Sequence, residues 1–231
     1  IHDITTTELN ATLRYAPGET FVNTKQRRFP VSLDAPVFTL SHTMGVKGIM
    51  GGEYNFHLTE ASAWKRFWLS SWGKIDITFK GGIQWSKVPF PLLTIHRGNQ
   101  TYITQQFSYN LMNFMEFVSD RYATLMVEHY FSGFFLNKIP VLRKLKLREA
   151  CSFKMLYGQV SAQNRPTENS GLLKFPSFPD GTPITYTLEN KPYIEASVGI
   201  TNIFKFLRVD LIRRFTYLEH PGAAKYGVRF G

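Results

Sequence analysis

The stretch Lys74–Trp85, KIDITFKGGIQW, sets the strictest limit on what this chain can become. Ile75, Ile77, Phe79, Gly81, Ile83 and Trp85 alternate with Lys74, Asp76, Thr78, Lys80, Gly82 and Gln84. A period of two places the sets on opposite faces of a strand. Strands of soluble sandwiches usually run to about five or six residues. Twelve alternating residues, with charges in the middle of the polar face, match a tilted strand crossing a bilayer in a closed barrel.

The same alternation recurs along the chain. Strands are expected at 7–15, 36–42, 55–68, 74–85, 121–131, 147–157, 191–201 and 206–217, with a broken ninth beginning at 225. The alternation in 121–131 puts Ala123, Leu125, Val127 and Phe131 opposite Tyr122, Thr124, Met126, Glu128 and Tyr130. In 206–217 it puts Leu207, Val209, Leu211, Phe215 and Tyr217 on the apolar side. Short connections such as Ser70-Ser71-Trp72-Gly73 alternate with long ones at 86–120 and 158–190. That asymmetry is a barrel habit, with short turns on one rim and long loops on the other. Pro140 interrupts the mixed segment 134–147, which reads as a turn with one helical piece. Trp64, Phe67, Trp68 and Trp72 gather where two strands turn round, as in an aromatic girdle. The fold expected is all-β: the C-terminal portion of a transmembrane antiparallel β-barrel. A soluble sheet with one solvated face is the competing reading of the same pattern.

Composition agrees with strands and turns. Aromatic residues make up 15% of the chain, with 20 Phe and 11 Tyr. No apolar run reaches the ~18 residues of a transmembrane helix, a test that a barrel strand does not meet in any case. The 27 basic and 17 acidic residues leave a charge of +10. The bases are scattered, apart from 143–148, and nucleic acid is not an expected partner. The lone Cys151 has no internal disulfide partner. No signal peptide is visible at Ile1, and the chain reads as a piece of something longer.

Motifs of catalysis are missing: there is no GxSxG, GxGxxG, HExxH or CxxC. The six histidines, His2, His42, His57, His96, His129 and His220, are isolated from one another, and no metal, cofactor or catalytic residue is expected. What the polar face does carry is charge of both signs: Lys74, Asp76, Lys80, Arg148, Lys154, Arg208, Asp210 and Arg214, joined by Glu128 and Glu195. Mixed signs suggest an interlocked network or a wetted interior rather than a one-sign ion filter. In the 86–120 loop, Ile95-His96-Arg97-Gly98-Asn99 is the sharpest local motif. Glycine lets the backbone turn and arginine offers a rigid fork of donors. Folded into a lumen, Arg97 would seek a carboxylate such as Glu128 or Glu195; on a surface loop it would be solvated.

The segments IHRGNQTY, SYNLMNFMEFVSDRY, EHYFSGFFLNKIP and PYIEASVGITNIFKFLRVD resemble a largely uncharacterised Bacteroidota outer-membrane family. Its members are labelled as carrying a carboxypeptidase-regulatory-like N-terminal domain and an outer-membrane barrel. That family is in turn similar to the outer-membrane assembly and two-partner secretion superfamily, whose barrels have sixteen strands. The resemblance implies that these strands are the eighth to the fifteenth, with a truncated sixteenth, and that the N-terminal remainder supplies the others. It implies an arginine–glycine lock in the lumen, played here by Arg97 and Gly98. Asn99 stands where the superfamily has an aromatic, and 147–157 lacks its aspartate.

The function expected is non-enzymatic: insertion, assembly or export of macromolecules at the outer membrane. Lipid, the rest of the same protein and other envelope proteins or a secreted substrate are the expected partners. A passive pore and a hydrolase acting on lipid or peptidoglycan are the alternatives.

Overall fold

The computed structural model describes residues 3–167 and 171–231. His2 and residues 168–170 of the second long connection lie outside the described residues. Nine strands form one antiparallel sheet: β1 (Glu8–Tyr15), β2 (Val37–Gly45), β3 (Phe56–Trp68), β4 (Lys74–Gln84), β5 (Arg121–Tyr130), β6 (Arg148–Gln159), β7 (Tyr193–Ile203), β8 (Leu207–Arg214) and β9 (Tyr226–Phe230). Each pairs with the strands before and after it in the chain, a plain up-and-down meander. β1 and β9 are its two outer strands and do not pair with each other, so the sheet is open and no barrel closes within the described residues. No helix among them is long and apolar enough to cross a membrane.

Register carries the alternation across the whole sheet. One row runs Phe38, Ala63, Phe79, Leu125, Met155, Ile194, apolar in six successive strands. The next row but two along β4 crosses Arg66, Asp76, Glu128, Ser152 and Ser197 on the opposite face. Burial is the reverse of a water-soluble sheet. On the apolar face Leu13 is 67% exposed, Phe79 52% and Val198 63%. On the polar face Asp76, Glu128, Lys154, Glu195, Asp210 and Arg214 are all buried.

The cover over the polar face comes from the chain's own long connections. Residues 85–120 and 160–192 contribute Thr94–Ile95, Phe117–Ser119 and Tyr186–Thr187 to a small three-stranded sheet. Beneath it, Tyr109, Met112, Phe117, Met126, Leu156 and Tyr193 form the main apolar core. A second cluster gathers Phe56, Val88, Phe90, Leu93, Val118 and Val160. The short connections 69–73, 131–147 and 204–206 lie at the other end, together with 16–36, where Phe21–Asn23 and Arg28–Pro30 make a hairpin.

Several boundaries differ from the alternation pattern, each for a physical reason. β2 runs on to Gly45 because Thr43 and Met44 pair with Asn10 and Leu9. β6 continues to Gln159, so the second long connection begins at 160 rather than 158. β8 stops at Arg214; Tyr217, expected on the apolar face, turns back at φ 54° and is buried in the core under the loop. Pro140 does not interrupt a helix but opens one, Pro140–Leu145, at a position where its missing N–H has no intrahelical partner to lose. Lys146 closes that helix in the left-handed conformation.

Candidate functional site

The charges that alternation puts on one face of β4–β8 are met by the loop 86–120, and the contact between them is the most highly specified place in the molecule. Its centre is Arg214, fully buried at 0% exposure. The guanidinium grips Glu116 of the loop with two bonds, Nη2 to Oε1 at 2.5 Å and Nη1 to Oε2 at 2.9 Å. Its other donors reach the carbonyls of Thr216 (2.9 Å), Tyr217 (2.6 Å) and Leu111 (3.3 Å). Nothing of the five-donor fork is left over. The ring of Tyr193 lies under it at 4.9 Å. Glu116 is matched as fully, taking the Asn113 N–H at 2.8 Å and the His220 Nδ1 at 2.8 Å.

Glu195, 1% exposed, holds the loop backbone itself. Its carboxylate accepts the consecutive N–H groups of Asn110 (2.7 Å) and Leu111 (3.0 Å), and the Tyr193 hydroxyl at 2.9 Å. One strand away, the Lys154 ammonium donates to the carbonyls of Gln105 and Ser108, both at 2.5 Å. Tyr109 reaches down to the Thr124 hydroxyl. Arg208 forks onto Asp210 at 2.6 and 2.9 Å and crosses to Glu128 at 2.7 Å, while Thr104 of the loop donates to Asp210 at 2.7 Å. The group sums to three cations (Lys154, Arg208, Arg214) and four carboxylates (Glu116, Glu128, Glu195, Asp210), near balance for buried charge. Such matching is what burial of charge demands, since each unpaired ion would cost several kcal/mol.

At the near end of the loop, His96 is buried and hydrogen-bonded to the Ser119 hydroxyl at 3.0 Å. Burial, with Lys80 nearby, pushes its imidazole down to about 3, so it is neutral. Asp120 then ties the two long connections together, accepting from the Ser161 N–H at 2.9 Å and the Asn164 amide at 3.0 Å.

Of the residues expected in the loop lock, Gly98 is close-packed and Arg97 is exposed. A side chain at Gly98 would run into the carbonyls of Met112 and Asn113, where the loop doubles back on itself. Arg97 is exposed, and no ion pair or hydrogen bond joins it to Glu128 or Glu195, whose oxygens are taken by Arg208 and by loop amides. Its charge acts instead near Glu60 and Tyr122. The ion pair that does join loop to sheet has its arginine, Arg214, on the sheet and its carboxylate, Glu116, in the loop. The remaining charges pair locally, Asp76 with Arg66 (2.6 Å) and Lys80 with Glu60 (2.8 Å), while Lys74 lies over the Tyr130 ring (4.8 Å) and Arg148 bonds Asn137 (3.1 Å). Glu116 was not among the expected residues; its signal is a lone carboxylate inside the apolar run NLMNFMEF.

Among the described residues no group of three or more His, Cys, Asp or Glu side chains is placed to hold a metal ion. The chemistry available here is that of a clamp: buried, saturated and nearly neutral.

Comparison with curated proteins finds no match. A family model does match, over residues 2–164, and its description is a C-terminal domain of a family of unknown function, DUF5686. With most of its length covered by that model, the chain belongs to the DUF5686 C-terminal domain family.

Proposed function

We propose that this chain is part of the wall of an outer-membrane β-barrel whose lumen is closed by the 86–120 loop, and that the barrel serves insertion, assembly or export of macromolecules. The observation that carries the reading is the inverted burial: large apolar side chains exposed on eight of the nine strands, β5 being the exception, and charged ones buried behind the central strands. Monomeric soluble proteins rarely expose an apolar patch beyond ~300–600 Å², and here one face of the sheet is predominantly apolar, with charges such as Lys65 and Arg213 as exceptions. In lipid that face is satisfied, while every strand edge must be paired. Among the described residues no strand of the sheet covers the outer edges of β1 and β9, where Phe230 alone of β9 exchanges backbone bonds with Tyr102 and Thr104. These edges call for further strands, which the N-terminal remainder of the same protein supplies; the family description of this region as C-terminal fits that arrangement.

A loop clamped by buried, saturated ion pairs favours assembly or export over free permeation, because an open pore needs an unobstructed, wetted lumen. Where the first and last strands of the complete barrel part at a lateral gate, their edges can template an incoming strand by backbone pairing. The test is to deplete the full-length protein and follow the folded fraction of other outer-membrane proteins and the level of exported ones. The proposal expects a fall in one of these, and only small conductance when the purified protein is placed in planar bilayers. Large, stable conductance with no assembly or export defect would make it a pore.

A further inference from the structure

The short-turn end of the sheet carries a second feature that the clamp does not use. The arch 131–147 and the turn 204–206 hold Lys138, Arg143, Lys144, Lys146 and Lys205, and no acidic residue. All five are exposed, and none is salt-bridged to a carboxylate among the described residues. The arch and the turn are tied together, the Asn202 amide donating to the Lys146 carbonyl at 2.7 Å. Between them, on the apolar face, a groove of about 850 Å³ is lined by Phe131, Phe135, Cys151, Val198, Ile200 and Leu211 among others. Its only charged side chain, Glu149, turns Oε1 into the arch to accept the N–H groups of Phe135 and Leu136, while Oε2 is buried without a hydrogen-bond partner among the described residues. Large apolar side chains stand exposed beside the bases: Val141, Phe204 and Phe206.

Like charges clustered on a solvated turn repel one another. Helix C-terminal placement accounts for Arg143 and Lys144 at a few tenths of a kcal/mol, and Lys138 lies over the Phe134 ring at 4.2 Å, but neither accounts for Lys146 or Lys205. We propose that this corner binds an anionic phospholipid, with an acyl chain in the groove and the phosphate among Arg143, Lys144, Lys146 and Lys205. Charge complementarity chooses the headgroup, and the continuous apolar groove chooses a chain-bearing ligand over free phosphate. The inference rests on the membrane reading above and adds a ligand class to it.

The full-length protein, reconstituted in discs of mixed phosphatidylglycerol and phosphatidylcholine, is washed and its retained lipid identified by mass spectrometry. Wild type should retain phosphatidylglycerol preferentially. Replacing Arg143, Lys144, Lys146 and Lys205 together by Gln should reduce that preference at least about tenfold, since each base near an anionic surface contributes roughly fivefold before screening. Val198→Trp, which fills the groove and leaves the bases, should also weaken retention. Lys47→Gln with Lys174→Gln, on the opposite rim, should change nothing. An unaltered preference in the quadruple variant, or displacement of the lipid by inorganic phosphate, would overturn the proposal. A wild-type protein that enters the bilayer without any preference defeats this inference alone; one that stays in the aqueous phase defeats the membrane reading beneath it.

Discussion

Glu116→Gln tests the clamp where it is tightest. The substitution keeps the side-chain shape and removes one charge, leaving Arg214 buried with three carbonyls and no carboxylate bonded to it, its cross-strand neighbour Glu195 being engaged by loop amides. Two charge-assisted bonds, at 2.5 and 2.9 Å, are weakened together, and the His220 contact loses its ionic partner. Charge-assisted bonds contribute about 1.5–3 kcal/mol each, and breaking a buried pair by removing one partner costs about 3–5 kcal/mol. The two routes agree on a loss of at least about 3 kcal/mol in the free energy of loop opening. The readout is hydrogen exchange at the Asn110 and Leu111 amides, which Glu195 holds on the sheet and which exchange only when the loop lifts. At ~1.4 kcal/mol per decade, their exchange should speed up about 100-fold or more. A change under about threefold would mean that the ion pair does not hold the loop down. Replacing the pair by Arg214→Met with Glu116→Leu should recover part of the loss, because no uncompensated charge remains. The three carbonyls that Arg214 serves keep that recovery incomplete.

Further outcomes follow from neighbouring residues. With its imidazole pushed down to about 3, His96 binds fewer protons in the folded chain than in the unfolded one as pH falls below its ordinary value of 6.5. Loop stability is therefore full above pH 6.5 and should fall by roughly 4 kcal/mol by pH 3; protease access to 86–120 should follow that curve in wild type and be flatter in His96→Gln. Val198→Arg places a charge on the exposed apolar face: in a bilayer it should cost about 2–4 kcal/mol in reversible unfolding, whereas on a water-facing surface the change would stay within about 0.5 kcal/mol. Arg97→Ala should leave thermal stability within the same ~0.5 kcal/mol of wild type, since that side chain is exposed and bonds no carboxylate among the described residues; a loss of several kcal/mol would place Arg97 in the clamp.

Much of the fold is legible in the alternation, because a strand with two unlike faces has only one way to sit. Phe79 and Val127, set on the apolar side by parity alone, fall in adjoining rows of one face, opposite Leu125 and Ile77. Parity fails where the chain leaves the sheet: Tyr217 continues the pattern of Leu207, Val209 and Leu211, yet a left-handed turn sends it into the core. Local patterns carry no information on such a turn. The charged residues of the polar face were equally legible as a set, and Lys154, Glu195, Asp210 and Arg214 do meet there. Their partners were not, because the loop contributes main-chain groups (the Asn110 and Leu111 amides and the Gln105 and Ser108 carbonyls) that no sequence motif marks. The arginine–glycine pair marks Arg97 in the sequence, while Glu116, eighteen positions beyond Gly98, forms the ion pair with Arg214.

Every inference about function depends on whether the odd-numbered side of β4 meets lipid. Single spin labels along Lys74–Gln84, placed in the full-length protein with Cys151→Ser and reconstituted in a bilayer, read that side directly through collision with dissolved oxygen and with a water-soluble nickel chelate. Labels at 75, 77, 79 and 83 should be accessible to oxygen, and labels at 76, 78 and 80 should be shielded by the loop-covered polar face. Odd positions open to the nickel chelate along the whole strand, with no period of two in the oxygen signal, would contradict the account.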